Sequence, residues 1–499
     1  AGQHNHDNEN GHSEARGIPN YLGAAAISPD GLSAWVPSKQ DNILRGVYRD
    51  GLHLTHDTTL RAVSSKIDLG NSPALAQEDY SSRVDHDNSA VPSAAVHGRF
   101  GNYLFVALEG SREVRVMDAY GGSEIATIDV GRAPQGLTVS PDGMTLYTHN
   151  FMDRTVSVHD VSSIINENRP EPVLIATNSA VANEALSPEV LRGKQLFYDA
   201  DDERLSLESY ISCAACHNDG GGDGRVWDFT GFGEGLRNTI DLRGKSGHGP
   251  LHWTGNFDEV QDFEHQIRNL AHGLGLLSES QFNLPGVAEP LGTPKAGLNV
   301  DLDALATYVN SLNQAIPSPW RNADRTLTTA AEAGKQVFQS EGCANCHSGF
   351  RFTDSQPGLL HPVPSIKPSS GQRSGQPLIG LDTPTLKGLW ADTAYLHDGS
   401  AQTIADAIAA HVSTVPSAAD LATLEAYLRE LDETDSTLRF EAEAMSLSGF
   451  RKESVSTSSA GEVINLKGSA NAGTATTAFS GATGNYDVVV GYHDENDGT

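Results

Sequence analysis

Two short segments, SCAACHN and GCANCHS, contain the residues of this sequence that are best suited to hold a redox cofactor. Each includes the pattern Cys-x-x-Cys-His, with Cys213, Cys216 and His217 in the first motif and Cys343, Cys346 and His347 in the second. The chain of 499 residues has no other cysteine. In this pattern the two thiols can add to the vinyl groups of a haem while the adjacent imidazole binds its iron. The sequence therefore predicts two covalently attached c-type haems.

Other uses of paired cysteines explain the pattern less well. A disulfide framework would scatter its cysteines instead of placing each pair around two intervening residues. A structural zinc site needs the pairs closer together and leaves the two histidines unexplained. A thioredoxin-like redox pair needs a single motif in a strand–helix context.

Each iron also has a face opposite the motif histidine, where the ligand is usually histidine or methionine. No methionine lies between residues 190 and 435, so methionine ligation from the haem region is excluded. His411 ends a helical segment after the second motif and is the expected second ligand there. His265 and His272 lie on the corresponding segment after the first motif, and His397 is expected to bond backbone or a haem propionate.

The sequence around the first motif is repeated around the second. GKQLF precedes the first motif, GKQVF precedes the second, and both have helical apolar spacing. Beyond each motif comes a loop with a histidine shortly before Gly255 or Gly399, followed by an amphipathic helix. This duplication predicts two helical domains with one haem each, residues 181–325 and 326–435.

Three segments, LFYDADDERLSLESYISCAACH, GCANCH and TPTLKGLWADTAYLHDGSAQTIADAI, resemble the bacterial dihaem cytochrome c peroxidase superfamily, which includes the dihaem enzyme that matures a tryptophan-derived quinone. The resemblance covers residues 187–431. It implies two cytochrome c-like domains with the active site between them, where hydrogen peroxide reacts at the first haem and electrons enter at the second. It further implies an electron relay at Trp253, acid–base candidates Glu264, His265 and His272, and a calcium ion held by Asn238 and by carbonyls near Asp382 and Pro384.

Two departures from the family pattern bear on activity. His411 stands where the peroxidases place a methionine on the second haem, and imidazole lowers the potential because it stabilises ferric iron. The loop after the first motif lacks the histidine that caps the peroxidatic haem in resting family members. The first haem is therefore either open to substrate or capped by His265 or His272.

Residues 18–180 contain pairs of alternating strands, and Gly101 and Gly143 mark equivalent turns about 40 residues apart, the spacing of propeller blades. They resemble YVTN-type β-propeller repeats. Three to four blades fit here, fewer than the roughly four to eight of a closed ring, so a partial propeller is expected. Residues 1–17 are expected to be a mobile polar terminus.

Residues 436–499 change in composition, and FEAEAM and YDVVVGYHDENDG resemble carbohydrate-binding β-sandwich modules. The resemblance implies a structural calcium near Glu441 and Glu443. Because such modules are longer, this one is expected to be incomplete. A generic sandwich with solvated acids is the alternative to glycan binding.

The predicted fold class is thus multidomain, with a partial β-propeller, an α-helical tandem cytochrome c-like dihaem region, and the start of a β-sandwich. A net charge of −30 opposes nucleic-acid binding, and no apolar run reaches the roughly 20 residues of a membrane span.

One hypothesis is an oxidoreductase that reduces peroxide with electrons from a redox partner protein. The alternative is a bis-His electron-transfer cytochrome anchored to a surface, glycan or larger assembly. Covalent haem attachment implies a periplasmic or extracellular location, and the flanking modules favour extracellular.

Overall fold

The structure is a computed structural model that describes residues 17–43, 54–70, 74, 76–435, 442–454, 462–468 and 472–478. Within these residues no helix is both long and apolar enough to cross a membrane. The expected terminal segment 1–17 lies outside the described residues except for Gly17, and Glu441 lies outside them as well.

The N-terminal part is a β module of three antiparallel sheets. The first sheet has the order β1-β3-β4-β5, with β2 also paired to β3; the second runs β6-β7-β8-β9 and the third β10-β11-β12-β13. The strands are β1 (Gly17–Asn20), β2 (Ala26–Ile27), β3 (Ser33–Asn42), β4 (Leu60–Asp68), β5 (Gln77–His86), β6 (Pro92–His97), β7 (Tyr103–Leu108), β8 (Glu113–Asp118), β9 (Glu124–Asp129), β10 (Pro134–Val139), β11 (Thr145–Asn150), β12 (Thr155–Asp160) and β13 (Val173–Ser179). Two short helices connect strands, α1 (His56–Thr59) and α2 (Ser162–Glu167).

The second and third sheets repeat one another. Gly101 and Gly143 have φ values of 75° and 81° at equivalent turns, which glycine adopts without a Cβ penalty. Strand β6 packs against β3 of the first sheet and β10 of the third, and buried Phe105, Val116 and Leu146 lie between sheets. These three sheets do not form a closed barrel, so the propeller stays a prediction.

The first helical unit follows the β module. Its helices are α3 (Pro188–Phe197), α4 (Ala214–His217), α5 (Glu264–Asn269), α6 (Glu279–Phe282) and α7 (Val300–Ser311), and β14 (Val226–Asp228) pairs with β15 (Leu236–Asn238). Helix α3 begins where the hydroxyl of Ser187 accepts a hydrogen bond from the N–H of Val190, with proline in the first turn. Helices α3 and α7 cross at Gly193, where a Cβ would lie 1.9 Å from the carbonyl oxygen of Ala304.

The second helical unit repeats this arrangement. It contains α8 (Thr329–Ser340), α9 (Ile404–His411) and α10 (Ala418–Glu430), with the short pair β16 (Gln372–Arg373) and β17 (Gln376–Pro377). Helices α8 and α10 cross at Gly334, where a Cβ would again lie 1.9 Å from a carbonyl oxygen, that of Thr423. Phe197–Tyr308 and Phe338–Tyr427 are edge-to-face pairs in the two cores, at 5.1 and 5.5 Å.

Equivalent loops occur in the two units. Isolated bridges pair Leu251 with Phe257 and Tyr395 with Ala401, and Gly255 and Gly399 have φ values of 56° and 62° inside these loops. Five residues after each glycine a helical segment begins, at Val260 and Ile404. The two units can therefore be compared residue by residue.

The C-terminal part contains β18 (Ser446–Ser448) paired with β21 (Thr474–Thr476), and β19 (Phe450–Ser454) paired with β20 (Glu462–Leu466). The β-sandwich stays a prediction, because residues 436–441, 455–461, 469–471 and 479–499 lie outside the described ranges.

Candidate haem sites

Both Cys-x-x-Cys-His motifs form one helical turn. The N–H of His217 donates to the carbonyl of Cys213 at 2.9 Å, and the N–H of His347 donates to the carbonyl of Cys343 at 3.0 Å. The turn keeps both thiols close to the imidazole of the same motif, and all four cysteines are free. Each motif can therefore form two thioether bonds beside one axial histidine.

The motif histidines are oriented as metal ligands usually are. Nδ1 of His217 lies 3.0 Å from the carbonyl oxygen of Gly221, and Nδ1 of His347 lies 3.2 Å from that of Phe352 and 3.1 Å from that of Pro384. A carbonyl accepts the Nδ1 proton, which leaves Nε2 free to bind iron. Burial lowers the pKa of both imidazoles, that of His347 to about 4, and favours the neutral form that binds metal.

His411 faces the second motif. Its ring centre lies 6.4 Å from that of His347, and the ring planes are 87° apart. Imidazole nitrogens bind transition metals at about 2 Å, so two imidazoles on opposite faces of one iron have ring centres roughly 6 Å apart. Nδ1 of His411 lies 2.7 Å from the carbonyl of Ala407, which again leaves Nε2 free. The pair fits one iron with two histidine ligands.

The equivalent position in the first unit is apolar. Counted from Gly255 and Gly399, His411 corresponds to Ile267, which is 6% exposed and packs in the core cluster that Cys213 also contacts. Isoleucine offers no ligand atom. The first motif therefore lacks, at this position, the imidazole that the second unit provides.

The expected capping histidines contact other groups. His265 packs against the rings of Phe257 and Phe282, at 6.2 and 5.5 Å, and its Nε2 is buried without a hydrogen-bond partner in the described residues. His272 stacks at 5.0 Å on His56 of the β module. The roles of His265 and His272 as ligand or acid–base group stay predictions.

Glu264 is fully buried and engaged in hydrogen bonds. Its carboxylate accepts from the N–H groups of Leu276 and Leu277, at 2.9 and 3.1 Å, and pairs with Arg268 at 2.8 Å. This arrangement fixes the loop that follows α5. These contacts fit a structural role, and the acid–base role of Glu264 stays a prediction.

Trp253 lies at the junction of the two units. Its Nε1 donates to the carbonyl of Asn238 at 2.8 Å, the N–H of Asn238 donates to the carbonyl of His397 at 2.7 Å, and the N–H of Asp382 donates to the carbonyl of Trp253 at 3.0 Å. Two of these bonds thus join the region of Trp253 to the second unit, one at the carbonyl of His397 and one at the N–H of Asp382.

His397 is a buried polar side chain near this junction. It is 0% exposed, and neither ring nitrogen has a hydrogen-bond partner in the described residues. Buried polar groups without partners are costly, and a haem propionate would supply the partner that this imidazole lacks. Lys245 is half-buried, and burial lowers its pKa although the carboxylates of Asp392 and Asp241 act to raise it.

The residues predicted to bind calcium have different surroundings in the structure. The Nδ2 group of Asn238 donates to the carbonyl of Ala394 at 2.7 Å, and the carbonyl of Pro384 already accepts from His347. Asp382 has a buried Oδ1 without a partner in the described residues, and burial raises its pKa to about 6. Glu443 is buried with one carboxylate oxygen unpartnered in the same sense. Calcium stays a prediction at both places.

His252 is a candidate that the sequence did not single out. Its Nδ1 donates to Oδ1 of Asn256 at 2.7 Å, and Nδ2 of Asn256 donates to Oε1 of Glu234 at 3.1 Å. Burial lowers the pKa of His252 and favours its neutral form. The residue beside Trp253 is therefore linked through Asn256 to the carboxylate of Glu234.

No protein-family model matches the chain. Among curated proteins, hydrazine synthase subunit gamma of Kuenenia stuttgartiensis is 28% identical over 281 residues, which cover 48% of this chain and 75% of that protein. Cytochrome c551 peroxidase of Nitrosomonas europaea is 23% identical over 289 residues, covering 52% and 84%. Methylamine utilization protein MauG of Methylorubrum extorquens is 29% identical over 251 residues, covering 44% and 67%. The relatives of about half of this chain are thus dihaem cytochrome c peroxidase-like and MauG-like proteins.

Proposed function

We propose that this chain is a dihaem c-type oxidoreductase that reduces hydrogen peroxide at its first motif with electrons received at its second. The observation that supports this division most directly is the difference between Ile267 and His411. One unit has two facing imidazoles, whereas the other has a single histidine and an apolar residue at the equivalent position. A site with a free coordination position can bind a substrate, and a site with two histidines suits electron transfer.

When bound, the haems supply one-electron chemistry; reduction of one peroxide to two waters takes two electrons and two protons. His217 would hold the first iron, and His347 with His411 would hold the second. Lys245 and His397 would bind the propionates. The carbonyl bonds at Nδ1, which leave Nε2 free, support the iron ligands, and the ring of His397, unpartnered in the described residues, supports its propionate contact.

Trp253 is proposed as the electron relay. Its indole N–H bonds the carbonyl of Asn238, whose N–H bonds the carbonyl of His397, and its own carbonyl accepts from the N–H of Asp382 in the second unit. These contacts with both haem-binding units support the proposed relay. Protons would reach the first site through polar side chains. His252, bonded to Asn256 and through it to Glu234, is the best-connected candidate, whereas Glu264 serves the loop after α5.

The alternative function is electron transfer without catalysis. His411 favours it, because an imidazole in place of methionine removes the high-potential electron store that peroxide reduction in this superfamily uses. His265 could then serve as a second ligand of the first iron. The partner would in either case be a redox protein with a cationic surface, since the net charge of this chain is −30. We also propose that the protein is periplasmic or extracellular, binds calcium and binds a glycan.

The test is electron paramagnetic resonance of the purified ferric protein. We expect one high-spin signal from the first haem and one low-spin signal from the second, with the high-spin signal lost when peroxide is added. Ile267→His should convert the first haem to a low-spin form and abolish peroxide reduction, while Ile267→Val should retain both properties. If the unmodified protein gives two low-spin signals that do not change when peroxide is added, the proposal is overturned in favour of electron transfer alone.

A further inference from the structure

The two motifs differ in how their surroundings cover them. Ala214 and Ala215, between the cysteines of the first motif, are 2% and 0% exposed, whereas Ala344 is half-buried and Asn345 exposed in the second. The first motif is covered by the β module: Leu60, Ala90 and Val91 pack in one cluster with Ala215 and Cys216. The β module is therefore part of the first haem site.

A buried ion cluster lies at this contact. The ammonium of Lys39, on β3, pairs with Asp41 at 2.9 Å and with Asp223 at 3.0 Å, and all three side chains are 0% exposed. Asp223 belongs to the loop after the first motif, and its Oδ2 also accepts from Nε1 of Trp227 at 3.2 Å. Asn20 adds bonds from Nδ2 to Asp41 at 2.8 Å and to the backbone carbonyl of Asp223 at 3.0 Å. We call Lys39, Asp41, Asp223, Trp227 and Asn20 the Lys39 cluster.

Tyr21 bonds the other end of the same loop. Its hydroxyl donates to the carbonyl of Cys216 at 3.1 Å and accepts from the N–H of Asn218 at 3.4 Å. The Lys39 ammonium also lies 4.5 Å from the centre of the Tyr21 ring. The β module thus holds the chain on both sides of His217 and of Gly221, whose carbonyl accepts the Nδ1 proton of His217.

The loop needs such external support because of its composition. The sequence NDGGGDGR contains four glycines, which lose more conformational freedom on ordering than other residues. A buried charge pair is costly to separate, because either partner alone would be buried without compensation. The second unit orders its equivalent region internally: Thr353 donates to the carbonyl of Thr383, and Thr385 donates to that of Arg351, both from side-chain hydroxyls.

From these contacts we infer that Lys39 and Tyr21 are positioning residues for the axial histidine of the first haem, so that the β module sets the orientation and donor strength of His217. The hydrogen bond from Nδ1 to a carbonyl raises the basicity of a metal-bound imidazole. Loosening Gly221 weakens this bond and stabilises ferrous relative to ferric iron. The inference rests on haem attachment at the first motif, as in the proposed function, and does not depend on peroxide reduction.

The experiment compares Tyr21→Phe and the double variant Lys39→Met/Asp223→Asn with the unmodified holoprotein. The double variant removes one charge of each sign, while Asp41 keeps Asn20 and lies 3.4 Å from Arg225. Matched controls are Tyr80→Phe, at a ring that is 54% exposed in the same sheet, and Lys66→Met, on β4. The measurements are the midpoint potentials of both haems, the iron–histidine stretching band of the ferrous protein, and hydrogen exchange over residues 213–225.

We expect the potential of the first haem to rise in both variants by up to about 59 mV, the shift for a tenfold change in a one-electron equilibrium. Its iron–histidine band should move to lower frequency and exchange over residues 213–225 should quicken, while the second haem and both controls stay unchanged. An unchanged potential and band in a folded double variant would overturn the inference and leave the cluster as packing. If the first haem responds as expected in a protein that ignores peroxide, the inference stands and the proposed peroxidase function falls.

Discussion

Replacing His411 with methionine tests the assignment of the second haem most sharply. The ring of His411 lies 6.4 Å from that of His347, close to the roughly 6 Å expected across one iron. A methionine at the end of α9 would place a thioether in the same space. Because methionine raises the potential of a c-type haem relative to histidine, the second haem of the variant should be reduced more readily.

The expected size of the change follows from the range open to axial ligands. Axial ligands set haem potentials over roughly 0.8 V, so one His-to-Met exchange should raise the potential on the order of 0.1 V. For one electron, 100 mV corresponds to roughly 2.3 kcal/mol. The potential of the first haem should move much less, since Ile267 and His217 are unaltered.

The assay is a spectroelectrochemical titration with electron paramagnetic resonance of the ferric form. His411→Met should keep the second haem low-spin at a higher potential, and His411→Ala should make it high-spin. His361→Gln is the matched control, because His361 also lies beside the second motif, with Nδ1 at 3.8 Å from Sγ of Cys346. A second haem that stays low-spin at an unchanged potential in His411→Ala would refute the assignment, and a spin change in His361→Gln would point to the other histidine.

Three further predictions concern other parts of the chain. Trp253→Phe removes the indole N–H that bonds Asn238, so electron transfer between the haems after flash reduction should slow at least tenfold with both haem spectra intact; equal rates would reduce Trp253 to a packing role. Gly334→Ala should lower the free energy of unfolding of the second helical unit by about 1–3 kcal/mol or more in denaturant, because the new methyl would meet the carbonyl of Thr423. The control Gly468→Ala should change the free energy of unfolding little, because there is open space around Gly468. Burial raises the pKa of Glu109 from 4.5 to about 7, so ionising its carboxyl group opposes folding. The free energy of unfolding should therefore fall as pH rises from about 4.5 through 7. Glu109→Gln should remove this loss, which amounts to up to about 3 kcal/mol at about 1.36 kcal/mol per pKa unit. A thermal-unfolding pH profile that is the same with and without Glu109 would contradict this last expectation.

The sequence was most informative where a single residue type has few uses. Four cysteines in two Cys-x-x-Cys-His motifs and the absence of methionine from residues 190–435 pointed to histidine ligation, and the structure brings His411 opposite His347. The first site also has a signal in the sequence. Counted from Gly255 and Gly399, Ile267 occupies the position equivalent to His411. The predicted ligands His265 and His272 have side chains that contact other rings in the structure.

Contacts between distant segments left no local signal. Nothing in the sequence near Lys39 indicates that its ammonium pairs with Asp223, because the contact depends on how the β module packs on the first helical unit. The hydrogen bonds that occupy Glu264 likewise depend on the fold of the loop at Leu276 and Leu277. By contrast, Gly193 and Gly334 occur in matching GKQ segments, and both turned out to lie at helix crossings.

The attachment of two haems through four thioether bonds is tested most directly by the mass of the denatured protein after acid–acetone extraction, which removes haem that is not covalently bound. The account predicts a coloured protein heavier than the polypeptide by two haem groups, with peptides containing residues 213–217 and 343–347 each carrying one. A colourless protein with the mass of the bare chain, or haem on only one of these peptides, would contradict it.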